Sequence, residues 1–334
     1  MEQRKVQITG GSSFVITLPK EWINRNNIRP KDTLGMIIQP DDTILITPKN
    51  IKNHKYKEKS FDLDKISDPS YLFRLLIGAY MMGYSSIIVS SKIRIKPELK
   101  SSVKKFVYDA IGLEIMDEDN QMIQIKDLIN PSEMPFENTI KRLFSKVKTM
   151  HEDTLNALSS KNKELANEIV ERDDEVDRLY WSVARQSNLI LRNTVIAKEL
   201  GVEPVDANFF YLISRIIERI GDHAVNIAKN IPVIIDSNLN ESIINKIKEA
   251  GQLALDIFSD SISVWFDKNI ENANKIIESI NKLHKLCDEI NSIAVGTEGI
   301  TAIAISYIIE SIRRTGDYSM NICETTINQY IENF

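Results

Sequence analysis

Apolar residues recur at every second position in the first fifty residues and at every third or fourth from about residue 135. The chain therefore changes from strand-type to helix-type patterning along its length. Val6-Gln7-Ile8 alternates, Thr9-Gly10-Gly11-Ser12-Ser13 supplies a turn that needs positive φ, and Phe14-Val15-Ile16-Thr17-Leu18 predicts a second strand. Pro19 suits the first turn of a short helix over Lys20 to Asn26. Thr33-Leu34-Gly35-Met36-Ile37-Ile38 and Thr43-Ile44-Leu45-Ile46-Thr47 flank Pro40-Asp41-Asp42, which reads as a hairpin. With so few large side chains this head has a thin core, and self-association is expected.

Lys49 to Ser60 is polar, carries five lysines and reads as a linker. Mixed α/β patterning follows from Tyr71 to Asn130. A helix from Leu72 to Met81 stops at Gly83, Ser86-Ile87-Ile88-Val89 is a short buried strand, Pro97 to Ala110 is a second helix, and two strands flank the turn Asp117 to Asn120. From Pro135 the period is helical, with breaks near Ser160, Gly201–Asp206, Asp236–Asn240, Phe266–Asn269 and Gly296–Gly299, which predicts about six long helices in a bundle. An internal repeat runs through them. Ile217-Glu218-Arg219-Ile220-Gly221-Asp222-His223 aligns with Ile312-Arg313-Arg314-Thr315-Gly316-Asp317-Tyr318, and Asn226-Ile227 with Asn321-Ile322. A glycine inside a helix costs about 1 kcal/mol against alanine, so its recurrence points to close helix packing.

The fold class expected is therefore multidomain and mainly α. A β-rich head spans 1–50, an α/β connecting domain 61–130, and two tandem three-helix repeats 135–232 and 239–332.

At 334 residues with 43% hydrophobic and 27% charged side chains, every part can bury a core. The net charge of −5 is uneven: residues 1–59 carry eleven Lys/Arg against six Asp/Glu, leaving −10 for the remainder. A basic head on an acidic body suits two partners of opposite charge, nucleic acid and cations. Cys287 and Cys323 make no disulfide framework, the N-terminus is no signal peptide, and no apolar run reaches membrane-spanning length. A cytoplasmic protein with no membrane span is expected.

Asp173/Asp177 and Glu218/Asp222 each sit four apart, one turn along a helix face. If those helices pack side by side, four carboxylates converge and must bind a cation, share protons or face solvent. Oxygen ligands suit hard cations. His223 is set about 100° round the helix and packs or hydrogen-bonds at the edge. The second repeat departs from the pattern, with Arg313 in the place of Glu218 and His284 four before Asp288. An arginine there pairs with Asp317 or Asp288 rather than admitting a cation, so one metal site is expected, not two. Asp288 and Asp317 are the weaker candidates. No phosphate-binding loop, dinucleotide fingerprint, nucleophile elbow or zinc-protease motif is present, so no enzyme is expected.

Arg172-Asp173-Asp174-Glu175-Val176-Asp177-Arg178-Leu179-Tyr180, followed by Glu218-Arg219-Ile220-Gly221-Asp222-His223-Ala224-Val225-Asn226-Ile227, resembles the PhoU family of phosphate-uptake regulators over about 135–332. Gln7 to Lys20 resembles the AbrB/SpoVT type of swapped-hairpin DNA-binding domain over about 1–50. Together, with the α/β insert, they resemble the archaeal branch of PhoU-like regulators. The resemblance implies a divalent or trivalent metal (iron, manganese, magnesium or zinc) at Asp173, Asp177, Glu218 and Asp222. It implies DNA contacts from Arg4, Lys5, Lys20, Arg25, Arg29 and Lys31 in a homodimer. It also implies phosphate-responsive regulation of uptake, with a transporter ATPase or sensor kinase as a partner. A protein-contact regulator without DNA binding, or a metal-binding scaffold, is the alternative. Over residues 1–50 the net charge is only +2, so only the resemblance raises the six basic residues above an ordinary surface.

Overall fold

The computed structural model describes residues 3–39, 42–48, 57–129, 133–237, 239–297 and 299–333. The chain divides into two compact units, 1–56 and 57–334.

In the first unit, β1 (Gln7–Thr9) and β2 (Ser13–Val15) pair antiparallel, with Ile8 opposite Phe14. Gly10 and Gly11 take φ of +64° and +85° in the turn between them. Helix α1 (Lys20–Arg25) follows Pro19, and β3 (Leu34–Ile38) pairs with β4 (Ile44–Pro48). The Pro40-Asp41 part of the expected hairpin turn lies outside the described residues. No described residue of this unit is buried, and Ile8, Phe14, Met36 and Ile38 all face solvent. The unit has patterned strands but no core of its own.

The second unit begins earlier than the sequence pattern implies. The first part of the expected linker, 49–56, lies outside the described residues, but its last residues do not behave as a linker. β5 (Glu58–Asp62) is an edge strand, parallel to β6 (Ser86–Ser90). Its alternation is hidden because four of its five residues are exposed and polar or charged, and only Phe61 points into the core. α2 (Pro69–Met81) ends on Gly83 at φ +82°, where Gly83 and Tyr84 N–H bond back to Tyr80 and Ala79 carbonyls. α3 (Pro97–Asp109), β7 (Leu113–Glu118) and β8 (Met122–Asp127) complete a sheet of order β5-β6-β8-β7. Ile87, Val89, Ile123 and Ile125 are buried with Leu72, Leu76, Tyr80, Val103 and Phe106 of the two helices.

The helical part contains α4 (Phe136–Ser160), α5 (Lys163–Glu171), α6 (Asp173–Arg192), α7 (Thr194–Leu200), α8 (Pro204–Asp236), α9 (Glu241–Phe266), α10 (Ile270–Ala294) and α11 (Ile300–Tyr330). All five expected breaks are present. Two more divide the first repeat, at Arg172 and Asn193. The acids Asp173, Asp174 and Glu175 favour a new helix start after Arg172. Asn193 caps α7 by accepting from the Val195 and Ile196 N–H groups. Among the described residues the first repeat thus has five helices and the second three. One buried cluster joins α4, α6 and α8 to the C-terminal half of α9, and a second joins the end of α8 to α9, α10 and α11.

The paired glycines lie where helices pack closely. A Cβ on Gly221 would meet Val147 and Val176 at 3.3 Å, and one on Gly316 would collide with Leu283 Cδ2.

Candidate functional site

α6 and α8 pack side by side, so the carboxylates of Asp173, Asp177, Glu218 and Asp222 come onto one surface, each half-buried. Burial is the first cause of all four perturbations, and repulsion by acidic neighbours the second for Asp173, Asp177 and Glu218. The Asp177 carboxyl is pushed up to about 7 by burial, then by Asp173, Glu218, Asp222 and Asp174. Glu218 also rises to about 7, through burial and Asp222, with Arg219 opposing. Burial raises Asp173, and Asp222 adds to it. Burial raises Asp222 against the pull of Arg219, 3.4 Å away, and of Lys229.

The four acids therefore feel one another across two helices. Such a donor set, all oxygen, partly dehydrated and short of positive charge, fits a hard cation. Among the described residues no group of three or more His, Cys, Asp or Glu side chains stands ready to hold a metal ion. The donor chemistry fits a cation, but side-chain rotation must bring the carboxylates closer before they can share one.

His223 does not face this surface. Its ring packs at 5.6 Å from Tyr318, its repeat-aligned counterpart, and its Nδ1 is buried with no hydrogen-bond partner. Burial, then Arg314, lowers it to about 4 and keeps it neutral. Beside the acids, Tyr180 and Tyr211 stack at 6.1 Å, and burial raises the Tyr180 phenol further from ionisation.

The second repeat carries its own basic side chains in the same positions. Arg313 pairs with Asp288, and His284 Nε2 lies 2.8 Å from Asp317 Oδ1. Arg314 reaches Glu310 at 2.9 Å and Asp317 at 3.6 Å. Asp288 and Asp317 are thus engaged by side chains of the chain itself.

Sequence reasoning missed the role of the α/β layer. It rests on α6, the helix that carries Asp173 and Asp177. Lys105 of α3 reaches Asp174 at 3.5 Å, and the Arg178 guanidinium lies 5.7 Å from the Tyr108 ring centre. The anchor is Arg185, which is buried. Its Nε and Nη2 donate to Asp127 Oδ2 at 3.0 and 2.6 Å, its Nη1 donates to the carbonyls of Tyr80 and Tyr84 at 2.6 and 2.9 Å, and it stacks on Tyr80 at 4.8 Å. The available signal was an arginine bordering the uncharged face Leu179-Ser182-Val183-Gln186-Ile190.

In the first unit, all six basic candidates are exposed. Arg4 and Lys5 precede β1, Lys20 and Arg25 lie on α1, and Arg29 and Lys31 lie in the turn after it. The Arg29 N–H donates to Asp32 Oδ2 at 2.7 Å, and Lys31 has φ +78°.

Comparison with known proteins places both units. Residues 7–53 match the family described as "Antidote-toxin recognition MazE, bacterial antitoxin". A Clostridium acetobutylicum protein named a phosphate-specific transport system accessory protein PhoU homolog is 29% identical over 207 residues, 58% of this chain and 92% of the relative. A Thermotoga maritima protein of the same name, homolog 1, is 26% identical over 187 residues, 54% of this chain and 78% of that one. The crystal structure of PhoU from Pseudomonas aeruginosa shares the fold with a TM-score of 0.53 at 15% identity, covering 61% of this chain and 98% of that one. No helix among the described residues is long and apolar enough to cross a membrane. The PhoU domain matches twice, over residues 140–231 and 247–326, which together make up more than half of the sequence, and the chain belongs to the PhoU family.

Proposed function

We propose that the chain is a cytoplasmic, phosphate-responsive regulator of phosphate uptake that binds DNA through its head and a metal ion or partner proteins through its helical repeats. The observation that carries the reading is the double PhoU-domain match, in relatives named as accessory proteins of phosphate-specific transport. The metal part rests on four half-buried carboxylates on α6 and α8, three of which are raised by burial and by their acidic neighbours. Asp173, Asp177, Glu218 and Asp222 would hold the ion, whose charge would offset their repulsion. The second repeat holds none, because Arg313 and His284 already engage Asp288 and Asp317.

The DNA part rests on the MazE-type match and on Arg4, Lys5, Lys20, Arg25, Arg29 and Lys31 being exposed. The dimer part rests on a head with no fully buried residue among those described. A second copy supplies the missing core. A transporter ATPase or a sensor kinase is the partner class for the repeats, and the reading assigns the chain no catalytic step. The alternative, regulation by protein contacts without DNA, is favoured by the net charge of only +2 over residues 1–50.

Two experiments test the reading. Metal content by plasma mass spectrometry, on protein purified without chelator, should be stoichiometric in the wild type and lost in Asp173→Ala/Glu218→Ala. Metal equal in both, or absent from both, removes the metal part. Fluorescence anisotropy with random genomic duplexes should show binding that weakens steeply with salt and falls in Lys20→Ala/Arg25→Ala. No complex at low salt leaves the protein-contact alternative.

A further inference from the structure

Arg219 stands at the edge of the four carboxylates, and its partners are two of them. It lies on α8 between Glu218 and Asp222. Its Nε is 3.8 Å from Glu218 Oε2, and its Nη1 donates to Asp222 Oδ2 at 3.4 Å. Burial raises both carboxyls, Asp222 adds to the rise of Glu218, and Arg219 is the chief attraction that opposes each. Among the described residues its guanidinium pairs with no other acid.

Both contacts are long and open to solvent. Arg219 keeps 48% of its side-chain surface exposed, and an exposed pair of this kind is worth at most about 1 kcal/mol. The second repeat is held differently. There Arg313 is only 21% exposed and pairs with Asp288, and His284 Nε2 approaches Asp317 to 2.8 Å.

The arginine aligned with Arg219 shows why Arg219 turns to the cluster. Arg314 takes its place in the second repeat and also reaches the aspartate three residues on, Asp317, at 3.6 Å. Arg314 has a nearer acid, however, in Glu310 at 2.9 Å, one turn back on α11. On α8 that position is Arg215, which hydrogen-bonds Tyr211. Like charges one turn apart repel. Arg219 therefore has repulsion behind it and carboxylates ahead of it.

A cation shared by the four acids needs the carboxylates that Arg219 holds. Glu218 and Asp222 must let go of the guanidinium before they can turn toward Asp173 and Asp177. Once they have turned, Arg219 is left between Arg215 and a positive centre. A long exposed side chain can then carry its charge out into water.

We propose that Arg219 is the stand-in cation of the first-repeat cluster: it holds Glu218 and Asp222 in the metal-free chain, is displaced when a metal ion takes them, and so sets the metal affinity of the site. The proposal rests on the reading of Asp173, Asp177, Glu218 and Asp222 as a metal site.

The probe is manganese(II), titrated into the full chain against a fluorescent chelator at about 0.15 M salt, where screening acts within about 8 Å. Arg219→Gln should bind it at least about fivefold more tightly than wild type, because the competing pair is gone. Circular dichroism should be unchanged, since the side chain is exposed. Loss of any nearby positive charge favours a cation through the field alone, so Arg215→Gln is the control. It removes the same charge from the same helix but frees no carboxylate from an ion pair, and it should change the affinity less than about twofold. The second readout is phenylglyoxal modification of wild type, followed by mass spectrometry. Manganese should speed modification of Arg219 about twofold or more and leave Arg215 unchanged.

Equal gains in Arg219→Gln and Arg215→Gln overturn the proposal, as does no gain in Arg219→Gln or a modification rate at Arg219 that ignores manganese. Binding to wild type that is lost in Asp173→Ala/Glu218→Ala, with Arg219→Gln no tighter, overturns this proposal and leaves the metal reading standing. Manganese that binds neither wild type nor Arg219→Gln removes both.

Discussion

The two repeats answer the same electrostatic problem in opposite ways. In the first, Asp173, Asp177, Glu218 and Asp222 stand on neighbouring helices, and two of them rise to about 7. In the second, aligned positions hold His284, Asp288, Arg313 and Asp317, and the two acids are bound to the two bases. On the function proposed above, the first repeat leaves a charge deficit for an added cation to offset, and the second has met its own with side chains. The asymmetry extends to what sits on each site, since α6 carries the α/β layer and the extra α7, while α10 carries neither.

The largest effect is expected at the joint that gives the first repeat its covering layer. Arg185→Met leaves Asp127 as an unpaired buried charge and frees the carbonyls of Tyr80 and Tyr84. The expected loss is about 3–5 kcal/mol in urea unfolding. Arg185→Met/Asp127→Leu should recover a large part of it. If the single variant unfolds at the same urea concentration as wild type, the layer is held by its apolar contacts alone.

Next in size is a conversion of the second repeat to the chemistry of the first. Arg313→Glu/His284→Asp removes both basic partners and creates four carboxylates. Without metal the chain should lose about 2–4 kcal/mol, since each half-exposed pair is replaced by repulsion. Millimolar manganese should raise the melting temperature of the variant by more than that of wild type. A variant that ignores the metal would show that four acids in this arrangement do not by themselves make a cation site.

Much of this architecture was legible in the chain. Gly10-Gly11, Gly83 and the five helix breaks are local signals, written in the residues that make the turn. The i, i+4 acids were equally legible, because helix periodicity places them without knowledge of any neighbour. What escaped depends on the partner. β5 is strand only because β6 lies beside it, and its own residues, Glu58-Lys59-Ser60-Phe61-Asp62, look solvated. Arg185 reads as one more charged helix residue until Asp127, 58 positions away, is placed against it. The break at Arg172 competes with an otherwise continuous helical pattern, and the acids after it decide the outcome.

The pH dependence separates the two repeats further. Asp177 has an ordinary value of 3.8 and rises to about 7 in the fold. Between those values the folded state holds the proton more tightly, so its contribution is full below about 4 and lost as pH rises through about 7. In chelator at pH 8, Asp177→Asn should therefore stabilise the chain by about 1–3 kcal/mol, and near pH 4 by almost nothing. His223 works in the other direction. Lowered from 6.5 to about 4, it leaves the unfolded chain holding more protons in that window, so stability falls as pH drops from 6.5 toward 4. Unfolding of wild type and Asp177→Asn across pH 4–8 separates the two, since only the alkaline limb should change. Destabilisation by Asp177→Asn at pH 8 without metal would mean that the carboxylate is held by attraction rather than repulsion.

The smallest expected effect concerns the glycines that the repeats share. An alanine at either position gains up to about 1 kcal/mol of helix propensity. At Gly221 the added methyl meets Val147 and Val176 at 3.3 Å, which a shift of a few tenths of an ångström relieves. The two terms nearly cancel, and Gly221→Ala should lie within about 0.5 kcal/mol of wild type. At Gly316 the same methyl collides with Leu283 Cδ2, and Leu283 is fully buried, so it must shift within the core. Overpacking there costs typically about 1–3 kcal/mol, so Gly316→Ala should come out about 1 kcal/mol less stable than wild type. Paired urea titrations resolve a difference of that size when the slopes are equal. The reverse order would place the tighter helix crossing in the first repeat, and would mean that α11 yields around position 316 while α8 does not.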